Sequence, residues 1–276
     1  MFAELSNEEE LFLADLLNKP REFLMAHPEI LKNPEKLLSP ERRKKFILAK
    51  RRLRQGLPLA YILGYKWFYG EKFAVNKNTL IPRPETEILV EKALEIAAHT
   101  NPKTIIDIGT GSGAIIVSLR KNFSKNAKFY ASDISKKALE IARKNAKILT
   151  PSLLARGKAI KFLHGNLLTP FKKFRGSEKI LICANLPYLS KKELQESSIK
   201  HEPGLALYGG KKSTDKIELL LRQIKNLRLR QSTAILEIGF SQAHQIKNLA
   251  KKYLPAAKIT IYKDLGGFNR IALLSW

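Results

Sequence analysis

Residues Thr104 to Ile115 read "TIIDIGTGSGAI", and the two halves of the stretch obey different rules. Ile105, Ile106 and Ile108 make a short β-branched run of the kind that forms a buried strand. Gly109, Gly111 and Gly113 then recur at every second position, and apolar residues of a helix follow. A strand, a glycine loop and a helix start make a nucleotide-type site. Glycine lets the backbone approach a ligand closely, and ligands sit at the carboxyl ends of parallel strands. The loop alone is not specific. With Ala114 counted it also satisfies the looser dinucleotide pattern G-x-G-x-x-A, and a structural turn with no ligand is the plain alternative.

Working outward, the pattern from residue 104 alternates strand and helix. The strands read "TIIDI", "KFYASD", "IKFLHG", "KILICAN", "AILEI", "KITIY" and "RIALLS", with helices at 113–121, 135–148, 214–227 and 241–253. Such alternation predicts an α/β fold, a seven-stranded, mostly parallel sheet with helices on both faces. Only "KDLGGFN" separates the last two strands, too little for a crossover helix, so they form an antiparallel hairpin. Residues 1–60 read as helical. Ser6 with Glu9 is a capping box. Ser39-Pro40-Glu41 opens a second helix that runs to about Gln55, with Gly56 as a stop. Residues 61–80 cluster aromatics around Gly64 and Gly70 and read as a β-hairpin linker. The expected organisation is a helical domain over 1–60, a linker over 61–80 and an α/β domain over 81–276.

The 276 residues carry 50 Lys+Arg against 25 Asp+Glu, a net charge of +25. Residues 1–80 hold 15 basic and 10 acidic side chains, and residues 81–276 hold 35 and 15. A field of that sign attracts nucleic acid, a ribonucleoprotein or an acidic protein, although a lysine-rich solvated surface explains it equally well. Eight basic residues lie between Arg42 and Arg54, beside an apolar stripe of Phe46, Ile47, Ala49 and Leu53. No apolar run approaches the roughly 20 residues that span a bilayer. The acidic start "MFAELSNEEEL" has no secretory pattern. The single cysteine, Cys183, excludes an internal disulfide and fits a cytoplasmic location. No metal site is expected.

Candidate chemistry gathers at strand ends. Asp107 sits inside the first strand, two residues before the glycines, within reach of the loop or of a ligand ammonium. Asp133 closes the next strand, where its carboxylate can accept hydrogen bonds from both ribose hydroxyls or cap the following helix. Asn166 ends the third strand. Its amide can read an adenine edge with Leu167 packed on the ring, or simply make a turn. The fourth strand ends unusually, in "ICANLPYLS", Ile182 to Ser190. Asn185 offers a carbonyl acceptor, and the backbone carbonyl of Leu186 offers a second. Pro187 biases Leu186 to an extended backbone, and Tyr188 supplies a flat wall. Two acceptors and a wall suit a planar –NH2 group, as in a carboxamide or adenine. Gripping both N–H bonds aims the nitrogen lone pair at a methyl donor and stabilises positive charge developing there.

These residues resemble the class I S-adenosylmethionine-dependent methyltransferases, whose fold is Rossmann-like. More closely, the chain resembles the HemK/PrmC family of peptide chain release factor glutamine methyltransferases. The resemblance covers nearly the whole chain and is carried most specifically by "IPRPETE" (81–87) and "HEPGLALYGG" (201–210), with "YKDLGGFNRIAL" (262–273) beside them. It implies that Asp107, Gly109, Thr110, Gly111, Ser112, Gly113 and Asp133 bind S-adenosylmethionine, with Asn166 and Leu167 beside its adenine. It implies that Asn185, Leu186, Pro187 and Tyr188 hold the glutamine of a Gly-Gly-Gln motif for methylation at its side-chain nitrogen, Asn185 bordering the cofactor as well. Release factors become the expected protein partner and the helical domain a means of gripping them, with ribosome or RNA contact open to the basic surface. The chain departs from the family at Leu186, where proline is usual. "Asn-Leu-Pro-Tyr" is also similar to the motif of rRNA adenine dimethyltransferases, so a nucleic-acid adenine methyltransferase is the alternative. A non-enzymatic RNA-binding protein is a third reading, opposed by intact Asp133, Asn185 and Tyr188.

Overall fold

The computed structural model describes residues 5–196 and 199–276. It forms two compact units, Met1–Tyr65 and Lys66–Trp276. In the first, the Glu9 N–H donates to Ser6 Oγ and the Ser6 N–H donates back to the Glu9 carboxylate, which opens α1 (Asn7–Leu17). Three short helices follow, each set off by a proline: α2 (Arg21–Ala26), α3 (Pro28–Lys32) and α4 (Pro34–Leu37). Ser39 caps α5 (Pro40–Arg54), and α6 (Leu59–Leu63) ends at Gly64 with φ of +79°. The chain therefore stays helical through Leu63, and the hairpin starts at Tyr65. Phe12, Leu13, Leu24 and Phe46 fill the core of this unit, each worth roughly 1.5–3 kcal/mol of burial.

β1 (Tyr65–Phe68) starts at the last residue of the first unit and runs into the second, where it meets β2 (Glu71–Ala74) at Tyr69-Gly70. Both turn residues have positive φ, which matches the right-handed twist of the strands. The hairpin is anchored in the unit. Phe68 and Phe73 are fully buried, and the Asn145 side chain bonds both the N–H and the carbonyl of Ala74. Then come α7 (Glu85–Thr100), β3 (Thr104–Ile108), α8 (Ala114–Asn122), β4 (Lys128–Asp133), α9 (Lys136–Leu149), α10 (Pro151–Ala155), β5 (Lys161–His164) and β6 (Ile180–Asn185). The chain finishes with α11 (Gly204–Leu207), α12 (Asp215–Leu227), β7 (Thr233–Glu237), α13 (Ala243–Tyr253), β8 (Lys258–Lys263) and β9 (Asn269–Ser275).

The seven strands lie in the order β5-β4-β3-β6-β7-β9-β8. β9 runs antiparallel to both β7 and β8, and the remaining pairs are parallel. β3 and β7 are buried at every residue, as expected of central strands covered on both faces. Alternate side chains point to opposite faces, so Ile106, Ile182 and Leu236 join one core, and Ile105, Leu181 and Ile235 join the other. β3 pairs with β4 on one side and with β6 on the other. The winding reverses there, and a crevice opens at the carboxyl ends of β3 and β6. The glycine loop and Asn185 emerge into that crevice. No helix among the described residues is long and apolar enough to cross a membrane.

Candidate active site

The glycine loop takes backbone conformations that glycine alone adopts without strain. Gly109, Gly111 and Gly113 have φ of +72°, +55° and +83°. A Cβ on Gly109 would sit 3.1 Å from Leu186 Cδ2 and one on Gly113 3.2 Å from Ala142 Cβ. The loop is held from both sides. Asp133 Oδ2 accepts the Gly111 N–H at 2.9 Å, and Asp107 Oδ2 accepts the Thr110 hydroxyl at 2.6 Å. The other oxygen of Asp133 accepts the Ser135 N–H at 2.8 Å, but Ser135 itself caps α9. The other oxygen of Asp107 is buried with no hydrogen-bond partner among the described residues. Burial, with the charge of Asp133 adding to it, pushes the Asp107 carboxyl up to about 7, and burial also raises that of Asp133.

Two cavities, of about 200 and 220 Å³, adjoin in the crevice. Of the expected cofactor residues, Gly109, Gly111, Asp133, Asn166, Leu167 and Asn185 line the first. Asp107, Thr110, Ser112 and Gly113 are not among its lining residues and shape the loop from beneath. Leu167 carries a positive φ of +54°, unusual for a branched residue, and its carbonyl is held by the Ser132 hydroxyl at 2.9 Å. The expected substrate residues Asn185, Leu186, Pro187 and Tyr188 all line the second cavity. Leu80, Asn185, Leu186, Pro187 and Ala206 line both, so the Asn-Leu-Pro stretch is the shared wall. Leu186, where the family resemblance expects proline, is buried against the glycine loop.

Residues from distant parts of the chain hold that wall. Asn185 Nδ2 donates to Thr86 Oγ1 at 3.0 Å, and Thr86 Oγ1 donates to Glu237 Oε2 at 2.7 Å. Burial pushes the Glu237 carboxyl up to about 7, against the Thr86 hydrogen bond and the charge of Arg270. Tyr188 Oη lies 3.5 Å from Glu237 Oε1, the outer limit of a hydrogen bond, and burial with that nearby charge pushes its phenol up to about 12. Gly209 backs the wall, since a Cβ there would meet Tyr188 Cα at 2.8 Å and the Pro187 carbonyl at 2.9 Å. Gln242 Nε2 donates to the carbonyls of Ser213 and Tyr188 at 3.1 and 3.4 Å. Glu202 accepts the Ile81 N–H at 3.0 Å and pairs with Arg83.

The sequence patterns assign no role to Thr86, Glu202, Gly209, Glu237 or Gln242. Thr86, Glu202 and Gly209 lie inside the two stretches that carry the resemblance most specifically. Glu237 was accessible by the rule that picked out Asp133 and Asn185, since it is a polar residue ending a central parallel strand. Nothing in the sequence marks Gln242.

A flexed glycine cradle, a carboxylate beside it and an unpartnered buried acceptor below fit a ligand with hydroxyls and an ammonium, as S-adenosylmethionine has. A family model described as "Histidine-specific methyltransferase, SAM-dependent" matches residues 80–261. The catalytic domain of human METTL16, in complex with a MAT2A 3′UTR hairpin, shares the fold with a TM-score of 0.58 at 16% identity, over 86% of this chain and 81% of that one. Fold and site together define a class I S-adenosylmethionine-dependent methyltransferase. A second family model, the PrmC N-terminal domain, matches residues 4–64. The release factor glutamine methyltransferase of Enterococcus faecalis is 40% identical over 220 residues, 78% of this chain and 75% of that protein. That of Dictyoglomus turgidum is 36% identical over 271 residues, 98% of this chain and 90% of that protein. The chain belongs to the release factor glutamine methyltransferase family.

Proposed function

We propose that this enzyme methylates the side-chain nitrogen of the glutamine in the Gly-Gly-Gln motif of peptide chain release factors. The observation that supports this reading is the shared wall. Asn185 to Pro187 border a cavity suited to the methyl donor and one suited to a planar amide. S-adenosylmethionine supplies a methyl group activated on a sulfonium sulfur. Asp133 receives the ribose hydroxyls, the glycine loop accommodates the methionine part, and Asn166 and Leu167 flank the adenine. Asp107 holds the loop from beneath through the Thr110 hydroxyl.

Asn185 Oδ1 and the Leu186 carbonyl accept the two N–H bonds of the target amide, and Tyr188 packs on its plane. An amide nitrogen is a poor nucleophile because its lone pair is delocalised. Fixing both N–H bonds orients what lone-pair density there is and stabilises the positive charge that grows as the N–C bond forms. As the N–C bond forms, the methyl–sulfur bond would break to leave a neutral thioether, and the extra proton passes from the nitrogen to water. Residues 1–60 grip the release factor, and the basic surface of residues 81–276 is available to a ribosome or RNA. Such a reaction belongs in the cytoplasm, where translation occurs.

Incubation with a labelled methyl donor and a release factor tests the assignment. Label should appear on the glutamine of the Gly-Gly-Gln motif and disappear when that glutamine is replaced by alanine. Label on ribosomal RNA and none on release factor would support the adenine reading instead.

A further inference from the structure

Seen from outside, the asparagine amide is nearly symmetric. A half-turn about its last bond exchanges a carbonyl oxygen for an NH2 group with almost no change of shape. Only one of the two arrangements can receive a substrate N–H. The other would set two donors against each other.

We propose that Thr86 and Glu237 are positioning residues that fix which end of the Asn185 amide meets the substrate. The inference rests on the reading above, in which Asn185 receives the target amide. A threonine hydroxyl has one proton, and Thr86 gives it to Glu237 Oε2 at 2.7 Å. A carboxylate only accepts, so the direction of that bond is set. Thr86 Oγ1 then faces Asn185 as an acceptor and takes its Nδ2 proton at 3.0 Å. The Asn185 oxygen is left over, and none of the described residues donates to it. Asn185 and Glu237 are register partners on β6 and β7, while Thr86 arrives from the first turn of α7. Thr86 and Glu237 are both buried, which limits competition from water for the bond between them. The same carboxylate lies at the limit of hydrogen bonding from Tyr188, so one side chain steadies both ends of the motif.

The polarity of the chain depends on the charge of Glu237. Burial pushes this carboxyl up to about 7. The groups that face it are Arg270 on β9, which favours the charge, Glu85 on α7, which opposes it, and the Tyr188 hydroxyl. Once protonated, Glu237 can donate to Thr86. The hydroxyl proton is then free to turn towards Asn185, and the amide is drawn into the unproductive arrangement. Turnover therefore acquires an acid limb that belongs to Glu237. Asp107 titrates in the same range, so the wild-type profile alone does not assign the limb.

Two readouts test this, one of them independent of activity. With selective ¹⁵N labelling of asparagine, the Asn185 side-chain protons should exchange slowly in the wild type. That protection should vanish in Thr86→Val, which keeps the shape without the hydroxyl, and return in Thr86→Ser. On release factor, Thr86→Val should lower kcat roughly ten- to hundredfold, the worth of a buried polar contact, with KM and cofactor affinity changed little. Thr86→Ser should recover most of the loss. Glu237→Gln, which cannot titrate, should lose the acid limb, while Asp107→Asn should keep it. Unchanged Asn185 protection in Thr86→Val overturns the proposal, and so does lost protection with wild-type kcat. If the wild type does not methylate release factor at all, the functional reading fails, and the exchange experiment still decides whether the chain exists.

Discussion

At the scale of single residues, three carboxylates hold the site: Asp133, Asp107 and Glu237. Asp133 orders the loop through Gly111 and lines the donor cavity. Asp133→Ala should weaken S-adenosylmethionine binding roughly ten- to hundredfold, the effect of losing charge-assisted hydrogen bonds. Calorimetry that finds unchanged affinity would reduce Asp133 to a loop brace. Burial raises all three carboxyls and pushes Asp107 and Glu237 up to about 7 from 3.8 and 4.5. The folded protein then holds these protons more tightly than the unfolded chain does. Their contribution to stability is complete below about pH 4 and is lost as the pH rises through about 7. The denaturation midpoint of the ligand-free protein should fall between about pH 5 and pH 8, and Asp107→Asn should flatten that slope. An unaltered slope in the variant would contradict the burial argument. Asp107 was legible from its place just before the glycines and Asp133 from its place at a strand end. Which oxygen of each serves the loop was not, because that depends on the turn the glycines take.

Elements meet at the site through contacts that short-range patterns do not encode. The strand–helix alternation located all seven strands of the sheet; β3 and β7 read as apolar runs because central strands are covered on both faces, whereas the edge strands β5 and β8 are only partly buried. The alternation left out α10 and α11, whose four or five residues are shorter than one period of reliable pattern. The stretches "IPRPETE" and "HEPGLALYGG" read as motifs without function, yet Glu202 ties one to the other through Ile81 and Arg83. The second also lies along the motif, since the Leu189 N–H donates to the Leu207 carbonyl and the Gly209 N–H donates back to the Leu189 carbonyl. Gly209 follows from that approach. Its Cβ would stand 2.5 Å from the Ser213 carbonyl and 2.8 Å from Tyr188 Cα, so the backbone must move. Gly209→Ala should displace Tyr188 and lower turnover on release factor about a hundredfold, as small misplacements near a reacting centre do. Cofactor affinity should change little. Turnover equal to the wild type would show that this packing does not position the motif.

For the whole molecule, the two units invite separate tests. The hairpin is part of the second unit, with Phe68 and Phe73 in its core, so a chain beginning at Lys66 retains that core. It should bind S-adenosylmethionine like the full chain and methylate intact release factor poorly. Equal activity on release factor would remove the first unit from recognition. The net charge of +25 was legible at once but names no partner, because charge attracts classes of molecule rather than one. The central claim is that Asn185 holds the target amide while the donor sits across the shared wall. It is tested most directly by single-turnover methylation of release factor by Asn185→Ala at saturating cofactor. The account predicts a rate about a hundred- to thousandfold below wild type, by analogy with loss of one preorganised hydrogen-bond partner at a charge-developing atom, with cofactor affinity nearly unchanged. A rate equal to the wild type would contradict it and leave the strand end as an ordinary turn.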